Sequence, residues 1–147
     1  MSNAFKFVGA LLFATLLASA TLAAGKTHRV AVHIDQNDKA VMNLALNNVQ
    51  NLIAHYKKKG EKVVIEVVAY GPGLHMFRTD TSPVKERVAT MSLANPDLQF
   101  TACGNTHRKM SAKAGKKIAL LTEAKTVPSG IVRLVELQEQ GYAYVRP

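Results

Sequence analysis

The sequence predicts an α/β domain built on a mostly parallel sheet of about five strands. Three observations carry that expectation. Short runs rich in β-branched and apolar residues recur along the chain, and the clearest, Val63 to Tyr70, is nearly continuous, as in a strand covered on both faces. Segments with apolar residues at three- and four-residue steps separate these runs. Glycine, proline and asparagine punctuate the junctions. Strands and helices that alternate in this way build parallel sheets with right-handed crossovers.

Arg29 to Ile34 supplies the first strand, which ends at Asp35, and Asp38 is placed to cap the helix that follows. His33, near the strand's end, reads as a packed or hydrogen-bonded core histidine rather than a ligand. Lys39 to Lys59 is the strongest helix, with Met42, Ala45, Leu46, Val49, Leu52, Ile53 and Tyr56 on one stripe. Lysines fill its last turn and Gly60 supplies a left-handed stop. Asn43, Asn47 and Asn51 fall four apart on this helix although asparagine is a mediocre helix former. A subunit interface is the first explanation for that row and a solvated face the second.

The Val63 to Tyr70 strand breaks at Gly71-Pro72-Gly73, and Leu74 to Arg78 reads as a helical turn. A glycine-rich turn after a strand can cradle an anion. This one fits neither the P-loop nor the dinucleotide fingerprint, so a backbone role for its glycines is preferred. Ser82-Pro83 opens a helix from Val84 to Ala94, with Val88, Met91 and Leu93 for packing and Asn95-Pro96 as its stop. Leu98 to Cys103 is a strand ending on the single cysteine, and a short helix follows near Thr106 to Ser111. Ala112 to Glu123 is ambiguous, one helix being an option. Ala124 to Val127 is a short strand ended by Pro128-Ser129-Gly130. A helix from Ile131 to Gln140 carries Val132, Val135 and Leu137, Gly141 stops it, and Tyr142 to Val145 closes the sheet.

At 147 residues, with 48% hydrophobic content, the chain is sized for one domain with its own core. Lys6, an apolar run from Phe7 to Leu17 and small residues to Ala24 form the pattern of a secretory leader over 1–24. That pattern implies export to a bacterial periplasm, cleavage near residues 20–24, a mature domain over 25–147 and no membrane attachment afterwards. One cysteine excludes an internal disulfide and cysteine-rich zinc sites, and the five histidines show no His-x-x-x-His spacing. Neither a metal nor a cofactor is expected. The net charge of +9 raises the question of nucleic acid. Its densest clusters are Lys57-Lys58-Lys59 with Lys62, and Arg108-Lys109 with Lys113, Lys116 and Lys117. Neither carries an RNA-binding aromatic signature or zinc-finger spacing, so a solvated basic surface explains them better.

In parallel α/β sheets the site lies at the strands' carboxyl ends. The sequence gathers there Asp35; Tyr70 with Gly71 and Gly73; Cys103 with Gly104, Asn105 and Thr106; and Ser129 with Gly130. Cys103 is the candidate reactive group, because a helix start lowers thiol pKa values. The Asn105-Thr106 pair is placed to cap that helix. The competing reading makes Cys103 a small buried hydrophobe. Neither His75 nor His107 is fixed against Cys103 as a base, although His107, four residues on, could orient a thiolate. A Cys-His hydrolase is therefore a poor fit. A carrier thiol needs only exposure, a lowered pKa and a lined pocket.

Asn47-Asn48-Val49-Gln50-Asn51, Val67-Val68-Ala69-Tyr70-Gly71-Pro72-Gly73, Ala102-Cys103-Gly104-Asn105-Thr106 and Gly130 through Gly141-Tyr142-Ala143-Tyr144 resemble the DsrE/DsrF-like family, above all its small exported members. The likeness runs from about His28 to Pro147. It implies a flavodoxin-like three-layer sandwich that assembles as a homo-oligomer, trimer or hexamer. It also implies that the cysteine after a central strand accepts sulfur as a persulfide, a role that falls on Cys103. The expectation is a periplasmic sulfur-handling protein. Asn105, Thr106 and backbone amides near Gly73 and Gly104 would stabilise the anionic sulfur, and a sulfur donor or acceptor protein or a small anionic sulfur compound would be the partner. The alternative is a non-catalytic oligomeric module that binds a small anion at the same edge and keeps Cys103 as a structural residue.

Overall fold

Strands β1 (Thr27–Ile34), β2 (Lys62–Ala69), β3 (Leu98–Cys103), β4 (Ala124–Val127) and β5 (Ala143–Val145) form one sheet in the order β4-β3-β2-β1-β5. Every neighbouring pair is parallel. The computed structural model describes residues 25–147, and the expected leader over 1–24 lies outside them. Helices α1 (Lys39–Lys58), α2 (Lys85–Ala94) and α3 (Gly104–Ala114), with a 3-10 helix at Gly71–Phe77, link β1 through β4. Helix α4 (Gly130–Glu139) carries the chain back across the other face, from β4 at one edge to β5 at the opposite edge. The result is the three-layer, flavodoxin-like α/β sandwich that the sequence predicts. The order in which strands are added reverses at β1, with β2 on one side and β5 on the other, the kind of point where such sheets open a crevice.

Alternation along the strands sorts two faces. One presents Val30, Val32, Ile34, Ile65, Val67, Ala69, Leu98, Phe100 and Ala102 to the main core, where Met42, Ala45, Leu46 and Val49 of α1 and Val88 and Met91 of α2 pack on them. Each valine, leucine, isoleucine, phenylalanine or methionine among them contributes about 1.5–3 kcal/mol of burial free energy, and each alanine less. Asp38 caps α1 through its carboxylate, which accepts from the Ala40 and Val41 amides. Gly60 and Gly141 hold the positive φ expected of helix stops, +68° and +83°.

The second face has a smaller core of Ala31, Val68, Leu134 and Leu137 under α4. Beside it runs a polar ladder. Lys125 donates to Gln99, Gln99 to Thr101, and Thr101 to Glu66 at 2.7 Å. Glu66 then receives both Nε and Nη2 of Arg133, at 2.8 and 2.7 Å. A buried carboxylate is tolerated here because a planar fork and a hydroxyl replace the water it has lost.

Four local readings change. The asparagine row gains a partner within the chain: Arg87 of α2 donates to Asn43 Oδ1 at 2.6 Å, Asn47 Oδ1 at 2.9 Å and Gln50 Oε1 at 3.1 Å, tying α2 to α1. Leu93 does not pack and is 90% exposed. Helix α4 buries Leu134 and Leu137 while Val132 and Val135 point outward, because two apolar stripes compete on it. Ala112 to Glu123 is not one helix: α3 ends at Ala114, and Gly115 turns the chain away at φ +66°.

Truncating Arg133 to alanine leaves Glu66 buried without its main partner and should cost about 3 kcal/mol in urea unfolding. A Glu66→Met/Arg133→Met double variant, with no orphaned charge, should lose clearly less.

Candidate functional site

At the carboxyl edge the β2–β3 pairing ends at Ala69 and Ala102, and the next residues, Tyr70 and Cys103, both lie against the start of α4. Gly130 starts α4 directly against both. A Cβ on Gly130 would lie 3.0 Å from the Tyr70 Cβ and 3.1 Å from the Cys103 Cβ, so a side chain there would need its neighbours to give by a few tenths of an ångström. Gly73 is needed for a similar reason: a Cβ would overlap the Ile34 carbonyl, and its absence lets the 3-10 helix close on the end of β1. Gly104 lets the start of α3 approach the Val127 carbonyl, which a Cβ would meet at 2.9 Å.

Cys103 is itself the N-cap of α3, with extended φ and ψ and a sulfur that accepts from the Thr106 amide at 3.5 Å. The Asn105-Thr106 pair therefore lies inside the first turn and does not cap it. Thr106 Oγ1 accepts from the Gly71 amide at 3.0 Å, which leaves its hydroxyl proton for the sulfur. Burial pushes the Cys103 thiol up. Hydrogen bonds from the Thr106 hydroxyl and from the amides of Gly130, Thr106 and Asn105 outweigh it, and the net shift is downward. The Asn105 amide shares its proton with the Pro128 carbonyl at 3.1 Å. The starts of two helices, α3 and α4, thus meet on one sulfur, and both favour negative charge. The sulfur is nevertheless covered, Cys103 being 4% exposed.

The remaining expected residues are less central. Asn105 turns outward, where its side-chain oxygen accepts from Arg108. Ser129 precedes α4 without capping it and lines a cavity of about 190 Å³ with Val132 and Arg133. Asp35 is held by Arg146 in a bidentate ion pair, 2.8 Å at the closest approach, across the β1–β5 junction. His75 bonds to Thr81 and His107 to the Ile118 carbonyl, so neither serves Cys103.

The group the sequence left in the core is the one beside the site. His33 stacks on Tyr70 with centroids 4.5 Å apart, and its Nδ1 lies 2.7 Å from the Tyr144 hydroxyl. Its Nε2 is buried without a partner. Burial holds the His33 pKa below the usual histidine range; Asp35 pulls it up and Arg146 pushes it further down. Period-two alternation puts His33 and Asp35 on one face of β1, which was legible. The contact with Tyr144 and Arg146 depends on β5 pairing with β1, which was not. Among the described residues no group of three or more histidine, cysteine or acidic side chains could hold a metal, and no helix is long and apolar enough to cross a membrane.

Fold and site together define an α/β protein whose lone cysteine caps a helix at the carboxyl edge of a parallel sheet. The chain is similar to MTH1491 from Methanobacterium thermoautotrophicum, a protein of unknown function with a solved structure, at 36% identity and a TM-score of 0.68. The match covers 82% of this chain and 99% of that one. At that identity over nearly the whole relative, the chain belongs to the same family as MTH1491. No family model matches the sequence. No curated protein matches it either.

Two measurements probe the site. Thr106→Val should raise the Cys103 pKa, seen as a shift of the pH profile of iodoacetamide labelling to higher pH. Folding should also weaken as pH falls through the ordinary histidine range and below. There the unfolded chain takes a proton on His33 and the native one does not, so protonation favours unfolding. Urea midpoints of His33→Gln should depend less on pH between 7 and 5, with the residual slope from His75, which burial likewise holds low.

Proposed function

We propose that this protein handles reactive sulfur through Cys103, as an exported member of the DsrE/DsrF-like group acting in the periplasm. What supports the reading is that Cys103 caps α3, its sulfur accepting from the Thr106 amide at 3.5 Å, directly against the start of α4 at Gly130, in surroundings that lower its pKa. A thiolate is the nucleophile that sulfur transfer requires. With thiosulfate as donor, the Cys103 thiolate attacks the outer sulfur, a new S–S bond forms, the old one breaks, and sulfite leaves with its electron pair. With a polysulfide the leaving group is the shortened polysulfide. Sulfide alone cannot load the thiol, because that step would need an oxidant to take two electrons. Once formed, the terminal persulfide sulfur is anionic and needs donors of the kind found at these helix starts.

A homo-oligomer is part of the same proposal. Ile131, Val132 and Val135 are 55%, 52% and 48% exposed on α4, next to the site, and form a surface suited to a second copy. One observation favours a second reading, a ligand-binding module with a structural cysteine: the 4% exposure of Cys103.

Intact mass spectrometry after incubation with thiosulfate or polysulfide separates the two. The carrier reading expects a gain of one or more sulfur atoms on folded protein, reversed by dithiothreitol and absent from Cys103→Ser. Sulfide without oxidant should give none. No adduct on the folded chain, with thiol labelling only after denaturation, would make Cys103 structural.

A further inference from the structure

Strand β5 is the shortest in the sheet, three exposed residues that pair with β1 alone, through Val30, Ala31 and Val32. The chain reaches it from α4 over a turn in which Gly141 holds φ +83° and the Tyr142 amide donates to the Leu137 carbonyl at 3.0 Å. Among the described residues two side-chain ties secure the segment 143–147. His33 Nδ1 lies 2.7 Å from the Tyr144 hydroxyl, and Arg146 grips Asp35 at 2.8 Å. Both ties reach the carboxyl end of β1, where the strand order reverses and the crevice opens.

The two ties differ in what a proton does to them. The Asp35–Arg146 pair is partly exposed and contributes little. His33 is buried, so its nitrogens depend on partners inside the fold. In the protonated ring both nitrogens donate. Tyr144 can accept from Nδ1, but Nε2 meets no acceptor among the described residues. The groups around the ring do not supply one. Tyr70 stacks on its face at 4.5 Å, and Cys103 lies with Tyr70 against Gly130. Helix α4 lays Leu134 and Leu137 on this face, and its Arg133 is bound to Glu66. Burial disfavours the charged ring most; Asp35 favours it and Arg146 opposes it. The Asp35 oxygens are themselves engaged by Arg146.

We propose that β5 is an acid-released strap: protonation of His33 frees the strand from β1, and its departure opens the crevice beside His33 and Tyr70. The released ring gives its charge and both N–H groups to water, which the strapped ring cannot do. The sign follows from linkage. The released ring titrates at the ordinary histidine value of about 6.5 and the strapped ring below it. The hold of β5 is therefore full above that value and weakens as pH falls through it. The device is independent of Cys103 chemistry.

Hydrogen–deuterium exchange read by mass spectrometry tests this on the purified chain, each rate being divided by the intrinsic rate at the same pH. One proton taken up on release raises the open fraction by up to about tenfold between about pH 7.5 and about pH 5.5. Protection of a peptide covering 141–147 should fall at least about threefold, while peptides from β2 and β3 stay within about twofold. His33→Gln should abolish the fall, and His33→Leu replaces it if circular dichroism shows that variant unfolded. Asp35→Asn should lower protection at both pH values and keep the fall. In wild type the NMR signal of His33 Hε1 should titrate below about pH 6.5. Unchanged protection over 141–147 would overturn the proposal, and so would an equal fall in β2 and β3, which reports global unfolding. A fall that survives loss of the imidazole, or a His33 signal that titrates at or above the ordinary value, would overturn it as well.

Discussion

The second face of the sheet has one helix to cover it, and the seating of that helix governs the carboxyl edge. Arg133 is drawn down to Glu66 on the central strand β2, a contact made worthwhile by the low exposure of the carboxylate. With the middle of α4 fixed there, its first residue lies so close to Tyr70 and Cys103 that a Cβ would be crowded by both, and glycine avoids that contact. The same seating aims the Gly130 amide at the sulfur and turns Ile131, Val132 and Val135 outward. Packing, thiol chemistry and the exposed apolar surface are therefore consequences of one buried ion pair and one missing side chain.

The sulfur's environment draws on distant parts of the chain. Gly71 adopts φ +52°, a conformation that glycine takes at little cost, and so presents its amide to Thr106 Oγ1. With that lone pair occupied, the Thr106 proton is free to serve Cys103. The turn that breaks β2 thereby acts on the thiol at the end of β3 through a single hydroxyl. Next to it, burial holds the His33 pKa below the usual histidine range, with Tyr70 stacked on its ring. The edge thus holds an anion-favouring pocket beside an aromatic one that the Asp35–Arg146 ion pair borders.

Strands and caps were legible because they are written locally: β-branched runs, Asp38 before α1, and glycines where φ turns positive. The two-stripe ambiguity of α4 was not resolvable in the same way. Ile131, Val132, Leu134, Val135 and Leu137 are apolar on both sides of the helix, and the choice between them is made by Glu66 on another element. The intrachain partner of the asparagine row was out of reach for a related reason, since Arg87 lies 40 residues away from Asn47. His33 with Tyr144 and Asp35 with Arg146 are each 111 residues apart and meet because β5 adds to β1. Nearly all the expected site residues do converge on the carboxyl edge, as the parallel-sheet rule requires. The rule places residues at an edge, but it does not say which way each side chain turns once there, and Asn105 and Ser129 turn away.

The identity of the capping residue bears on what the edge is for. Helix starts are best satisfied by serine, threonine, aspartate or asparagine, whose oxygens accept strongly from the first free amides. Cys103 takes that position in α3 with a sulfur 3.5 Å from the Thr106 amide, a longer and weaker contact. A serine of nearly the same shape would cap the helix better and would also accept from the donors that surround this site. Burial alone does not favour sulfur over an oxygen whose partners are already in place, because the desolvation cost of a hydroxyl disappears when it is hydrogen-bonded. On the proposed reading, what sulfur adds is a thiol whose pKa its surroundings lower and a nucleophile that can hold a second sulfur atom. The weaker cap is then the structural concession, and the proposed thiolate chemistry is the property that would offset it.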